Sequence, residues 1–199
     1  MVNLAVIDYG AANLASVMFA LERLDSNPVL TRDPDVIAKA DRVLFPGVGA
    51  AKSSMDSILS LELDACIKSL KQPVMGVCMG MQLLFKASEE GDVDMLDIIP
   101  HQIKHFDKSK DLSVPHMGWN TVKIDCKNPL LKNINEESYF YFVHSFYAPI
   151  GKYSLASCQY VNNFSAIIRK DNFYGCQFHP EKSGKNGAQI LKNFIEGDL

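Results

Sequence analysis

Cys78 stands in the string Gly76-Val77-Cys78-Met79-Gly80, between an apolar run and a stretch of helical character. A G-x-C-x-G pattern at a strand–helix junction has the form of a nucleophile elbow, a tight turn that needs small residues on both sides of the exposed side chain. Such a turn presents the N–H of Met79 toward a carbonyl under attack. A helix beginning after Cys78 would favour the thiolate, as would a nearby imidazolium. Taken alone, the string also fits a buried structural cysteine in a glycine-rich turn; its strand–turn–helix context favours the nucleophile.

A thiol at its ordinary pKa is only a few per cent ionised at neutral pH, so the elbow needs a base. The chain has five histidines, at 101, 105, 116, 144 and 179. His179 follows a strand-like run in Phe178-His179-Pro180-Glu181. In extended backbone residues i and i+2 share a face, which would put Glu181 beside His179. A carboxylate there would hold the imidazole tautomer and stabilise its cation.

Pro46-Gly47-Val48-Gly49 closes another strand-like run. It is not a dinucleotide loop, because Lys52 stands where the third glycine belongs, and no G-K-[ST] occurs in the chain. It is either a tight turn or a second oxyanion donor, worth on the order of 3 kcal/mol.

These strings need a scaffold that brings them together. Val2–Ile7, Val29–Thr31, Val43–Phe45 and Pro73–Cys78 read as short buried strands. Leu14, Val17, Met18, Leu21 and Leu24 recur at helical spacing after Asn13, a suitable N-cap. A further helical region runs to Leu70 with a break near Ser60, and Met79–Ala87 reads as a helix. Strand–helix alternation with continuous apolar strands implies a parallel sheet covered on both faces. Thr121–Ile124, Tyr139–Val143, Tyr153–Cys158, Phe164–Arg169 and Phe173–Phe178 read as an antiparallel extension. Ala188, Leu191 and Ile195 mark one face of a final helix, and residues 88–113 are the least regular stretch. The expected architecture is three-layer α/β, in one domain over 1–199.

Composition sets outer limits. The 199 residues are 47% hydrophobic and 22% charged, ordinary globular usage that excludes disorder, a collagen-like chain and a coiled coil. Net charge is −3 with no basic cluster, so no nucleic-acid surface is expected. No run reaches the ~18 apolar residues of a membrane span. The opening MVNLAVIDYG reads as a strand rather than a signal peptide. The five cysteines are widely spaced without a CxxC, which indicates neither a disulfide framework nor a metal site, and suggests a reducing, cytoplasmic setting.

Gly76–Gln82, Pro46–Gly49 and His179–Glu181 together resemble the class I, triad-type glutamine amidotransferases. Asp8-Tyr9-Gly10 with Asn13-Leu14, Pro115-His116-Met117-Gly118-Trp119-Asn120, Tyr141-Phe142-Val143-His144-Ser145 and Glu181-Lys182-Ser183 narrow the resemblance to the glutaminase subunits of imidazole glycerol phosphate synthases, over nearly the whole chain. It implies a flavodoxin-like fold and a Cys78-His179-Glu181 triad that hydrolyses glutamine through a glutamyl thioester, without a cofactor or metal. It implies oxyanion donors at Met79 and in the turn at Val48 and Gly49. Glutamine would be held by Gly47, Gln82, Glu90, His144, Ser145 and Phe146, with Glu90 suited to the α-ammonium. The implied partner is a (β/α)8-barrel cyclase of histidine biosynthesis, docked through Asn13, Trp119, Tyr141 and Lys182. With nearly all the chain used by one domain, ammonia would have to be used on another chain.

Three positions depart from the family pattern. Ala12 and Met79 replace the usual Gly and Leu, and Met95–His101 lacks the glycines typical of its loop. The alternatives are the glutaminase subunit of another amidotransferase, a stand-alone cysteine hydrolase, and a non-catalytic module on the same scaffold.

Overall fold

The structure is a computed structural model that describes residues 2–11, 13–109, 111–136 and 138–199; Ala12 lies outside the described residues. The elements are β1 (Leu4–Ile7), α1 (Leu14–Glu22), β2 (Val29–Thr31), α2 (Pro34–Lys39), β3 (Arg42–Gly47), α3 (Ala51–Ser60), α4 (Leu63–Ser69), β4 (Val74–Cys78) and α5 (Met79–Gln82). There follow β5 (Phe85–Ser88), β6 (Val93–Asp94), β7 (Ile99–His105), β8 (His116–Thr121), β9 (Lys123–Ile124), β10 (Tyr139–His144) and β11 (Phe146–Tyr147). The last are β12 (Ser154–Cys158), β13 (Phe164–Lys170), β14 (Phe173–Cys176) and α6 (Gly184–Glu196).

Eight strands form the central sheet in the order β2-β1-β3-β4-β14-β13-β12-β9. From β2 to β14 the pairing is parallel; from β14 to β9 it is antiparallel. Period-two alternation divides each strand between two apolar layers. Leu4, Val6, Leu44 and Val77 face a cluster with Val17 and Leu21 of α1 and Ile190, Leu191 and Phe194 of α6. Ala5, Ile7, Val43 and Phe45 face a second cluster with Ile37 of α2, Met55 and Ile58 of α3, and Ile67 of α4. This is the mainly parallel α/β sheet with helices on both faces and an antiparallel extension.

Four sequence expectations are corrected. The helix over Met79–Ala87 stops at Gln82, because the carbonyls that would continue it accept elsewhere: Leu83 O from Leu96 N at 3.1 Å and Leu84 O from Ile99 N at 2.8 Å. Residues 88–105 are more regular than expected, as β6 and β7 join β5 and β11 in a four-stranded sheet, while the described residues of 106–113 lie in no helix or strand. Within that segment Asp97 takes φ 50°, a left-handed conformation that short polar side chains tolerate, so the backbone bends there without the family's glycine. Trp119, which its Gly- and Pro-rich string leads one to expect in a loop, sits in β8, which pairs antiparallel with β10 and sets Trp119 opposite Tyr141. Finally, Pro180–Lys182 is a 3-10 turn, so His179 and Glu181 do not meet across extended backbone.

Asp33 starts α2, a helix absent from the sequence reading, with its side chain accepting from the Asp35 N–H. Asn13 occupies the start of α1 with φ 66° and makes no side-chain bond to the helix backbone; its Oδ1 accepts from the Ser16 hydroxyl at 2.7 Å.

Candidate active site

Cys78 ends β4 with φ 53° and ψ −109°, far from ordinary strand geometry. Such a conformation costs about 1–3 kcal/mol and persists only when its surroundings enforce it. The enforcement is close packing of α5 onto the sheet. A Cβ on Gly76 would collide with the Gly80 carbonyl, and one on Gly80 with the Phe45 carbonyl. The small neighbours expected of the elbow are thus required by backbone approach.

His179 follows β14 across the sheet. Its N–H donates to Tyr141 O of β10 at 2.9 Å, and its carbonyl accepts from Ser183 Oγ at 2.6 Å. The ring Nδ1 lies 2.9 Å from Glu181 Oε1, both side chains being buried. A carboxylate accepts, so Nδ1 carries the proton and Nε2 is left for the thiol. Burial acts to lower the imidazole pKa, but the Cys78 sulfur and Glu181 outweigh it and push it up to about 10. Glu181 and the sulfur therefore favour the ring taking up a proton at Nε2.

A cleft of about 390 Å³ opens over this pair, lined by Val48, Gly49, Cys78, Met79, Gln82, Glu90, Pro115, Val143, His144, Ser145, Phe146, His179 and Lys182. All of these are site residues expected from the sequence except Pro115 and Val143. Gly49 has φ 101°, a conformation that favours glycine, in the turn expected to donate to an oxyanion.

Gln82 is buried, with its Nε2 donating to Phe146 O and to Gln177 Oε1, both at 2.9 Å. Glu90 reaches the cleft while its Oε2 accepts from Ala51 N at 2.8 Å, at the first turn of α3. His144 donates from Nδ1 to Phe146 O at 2.8 Å, so its ring braces the segment that its backbone helps to form. Gly47 closes β3 packed against Tyr9 and Gly80, and is not among the residues that line the cleft.

Of the docking residues expected from the sequence, Trp119, Tyr141 and Lys182 lie beside the cleft, Tyr141 through its carbonyl, which accepts from the His179 N–H. Trp119 is 55% exposed, and its ring meets that of Tyr141 edge-on at 5.9 Å. Met117 and Tyr139 are exposed on the same two strands, while Lys182 lies at the cleft. Gln177 escaped the sequence reading altogether. The signal was available: it is the one polar side chain between Cys176 and Phe178 in a strand-like run, where burial would demand partners.

A buried thiol facing a histidine–carboxylate pair is the constellation of thiol-dependent acyl transfer, here on a mainly parallel α/β sheet. The class-I glutamine amidotransferase profile matches residues 5–197, and the chain belongs to that family. Its relatives include the imidazole glycerol phosphate synthase subunit HisH of Bacteroides thetaiotaomicron, 47% identical over 98% of this chain and 99% of that one. The HisH subunits of Colwellia psychrerythraea and Vibrio cholerae are 46% and 44% identical, over 97% and 98% of this chain and 92% and 98% of theirs. A glutamine amidotransferase of known crystal structure has the same fold, with TM-score 0.74 at 12% identity over 96% of this chain and 97% of that one.

Proposed function

We propose that this chain is the glutaminase subunit of an imidazole glycerol phosphate synthase in histidine biosynthesis. The observation that carries the reading is the buried His179–Glu181 pair, 2.9 Å apart, at the Cys78 elbow. Full-length similarity to the HisH subunits supports the choice of synthase.

In this mechanism Cys78 Sγ attacks the carboxamide carbon of glutamine as His179 Nε2 takes up the thiol proton. The tetrahedral oxyanion is met by the N–H of Met79 and one from the Val48–Gly49 turn. His179 returns the proton to the departing nitrogen, ammonia leaves, and a glutamyl thioester remains. Water, deprotonated by His179, then cleaves the thioester to glutamate and restores the thiol. Glu181 keeps the imidazole in the tautomer both steps require. Gln82, Glu90 and the backbone of His144–Phe146 hold glutamine. The ammonia passes to a (β/α)8-barrel cyclase docked on the Trp119–Tyr141 surface, with Asn13 and Lys182 as further contacts, forming a cytoplasmic heterodimer.

The test is glutamate release by the chain alone, then with the cyclase and its ribotide ligand. Low release alone and strong release in the mixture are expected. Equal, substantial release in both would make the protein a stand-alone hydrolase.

A further inference from the structure

Gln177 is completely buried, directly behind the nucleophile. Its backbone is fixed by donation to Ala166 O at 2.9 Å. Its side chain has two neighbours: Nε2 lies 3.8 Å from Cys78 Sγ, and Oε1 accepts from Gln82 Nε2.

The orientation of both amides follows from one backbone carbonyl. Phe146 O can only accept, so Gln82 must turn its NH2 toward it. The second hydrogen of that NH2 then faces Gln177, which must present its oxygen. The Gln177 NH2 is consequently the group left facing the sulfur. Reversing either amide would set oxygen against oxygen or hydrogen against hydrogen. With its NH2 spent twice, Gln82 retains only Oε1, which is buried and has no partner among the described residues. Gln82 lines the cleft, and Oε1 is the one acceptor of its amide left to an N–H donor. Glutamine carries two such donors, its carboxamide and its α-ammonium.

We propose that Gln177 is a positioning residue that sets the Cys78 sulfur and the Gln82 amide together, so that the nucleophile and the glutamine pocket are aligned by one side chain. This role rests on the glutamine-hydrolysing reading for its substrate half; the effect on the sulfur stands without it. On the sulfur side, an N–H directed at Sγ favours the thiolate.

The experiment compares Gln177→Met, Gln82→Met and the double variant with the parent protein. The first readout is the pH dependence of Cys78 alkylation by iodoacetamide, measured on the Cys78 peptide by mass spectrometry because four other thiols are present. Loss of the donor moves the alkylation midpoint up by about one pH unit in Gln177→Met. It also moves in Gln82→Met, where the Gln177 amide is no longer pinned. The second readout is KM for glutamine in the complex with the cyclase. Gln177→Met raises it about tenfold, and adds no further rise in the Gln82→Met background, because the two act as one unit. An unchanged alkylation midpoint in both single variants overturns the proposal, even if either melts at lower temperature. Additive effects on KM overturn the coupling between pocket and sulfur. Absence of glutaminase activity in the parent complex would refute the functional reading instead, and leave the alkylation comparison to decide on Gln177.

Discussion

His116 Nδ1 lies 3.1 Å from His144 Nε2 in the interior of the protein. Because His144 must donate from Nδ1 to the Phe146 carbonyl, its Nε2 accepts, and His116 must donate to it. His144 cannot take a second proton without losing this bond, and a second proton on His116 Nε2 would displace the Asn120 amide 3.4 Å away. Burial lowers His116 to about 4 and His144 to about 3, the latter also feeling His116 and His179.

A pH dependence of stability follows. Both folded pKa values lie below the ordinary 6.5, so between about 3 and 6.5 the unfolded chain binds more protons than the folded one. The contribution is fully present above 6.5 and is lost as pH falls through that window. Melting temperature is expected to drop steeply from pH 6.5 to 4.5. His116→Phe keeps the stack on Phe142 and Tyr160; it lowers stability at pH 7 by about 1–2 kcal/mol and flattens the acid slope. An unchanged slope in a melting series would contradict the neutral pair.

His179 works in the opposite sense. Its pKa is raised to about 10, so its stabilising contribution is complete below 6.5 and is lost as pH rises toward 10. Glu181→Gln removes the carboxylate that helps to hold the charge. The variant should lose less stability than the parent between pH 7 and 10, and its glutaminase kcat should fall by about 100- to 10,000-fold. Alkaline melting curves and steady-state glutamate release check the two halves separately.

Cys78→Ala removes the nucleophile and should abolish glutamine hydrolysis while leaving partner binding intact. Added ammonia should restore synthesis by the complex. Cys78→Gly should melt above Cys78→Ala, because glycine accepts φ 53° without the strain of about 1 kcal/mol or more borne by residues with a Cβ. Equal melting temperatures would show that the elbow stores no such strain.

Gly80→Ala drives a methyl into the Phe45 carbonyl. The obstacle is backbone, which cannot swing aside, and the expected loss is about 3 kcal/mol or more, at the upper end for overpacking. Denaturant titration measures it.

Trp119→Ala tests the docking surface. The ring is half in solvent on paired strands, so the free chain should keep its stability within about 0.5 kcal/mol. Binding to the cyclase should weaken by about 2 kcal/mol or more, as for a central aromatic anchor. Calorimetric titration that finds parent-like affinity would remove Trp119 from the interface.

The sequence made the central layers legible where continuous apolar runs ran into glycine-bearing turns, as after β3 and β4. It misled where burial was one-sided or reversed. In β8 the histidine at 116 points inward while Met117 and Trp119 point to solvent, so hydropathy reports a loop. In β7 only Ile99 and Ile103 are fully buried, a spacing of four within a strand, which disguises the pleat. After Gln82, Leu83 and Leu84 satisfy a helical period equally well; only the remote N–H groups of Leu96 and Ile99 decide against it. Cys78, His179 and Glu181 were readable because each sits in a short string with its own steric logic. Gln177 was not, because its meaning lies entirely in what it touches.

The central place of β14 also bears on how the protein is made. That strand is inserted between β4 and β13, yet it is synthesised about a hundred residues after β4. At typical elongation rates of about 5–20 residues per second, a nascent chain spends several seconds or more with the edge of β4 open and Cys78 already emerged. For that interval the thiol has neither base nor buried amide beside it. Closing the sheet is the event that first sets base and amide beside the thiol, so incomplete chains are exposed to aggregation through the β4 edge and carry an unassembled site.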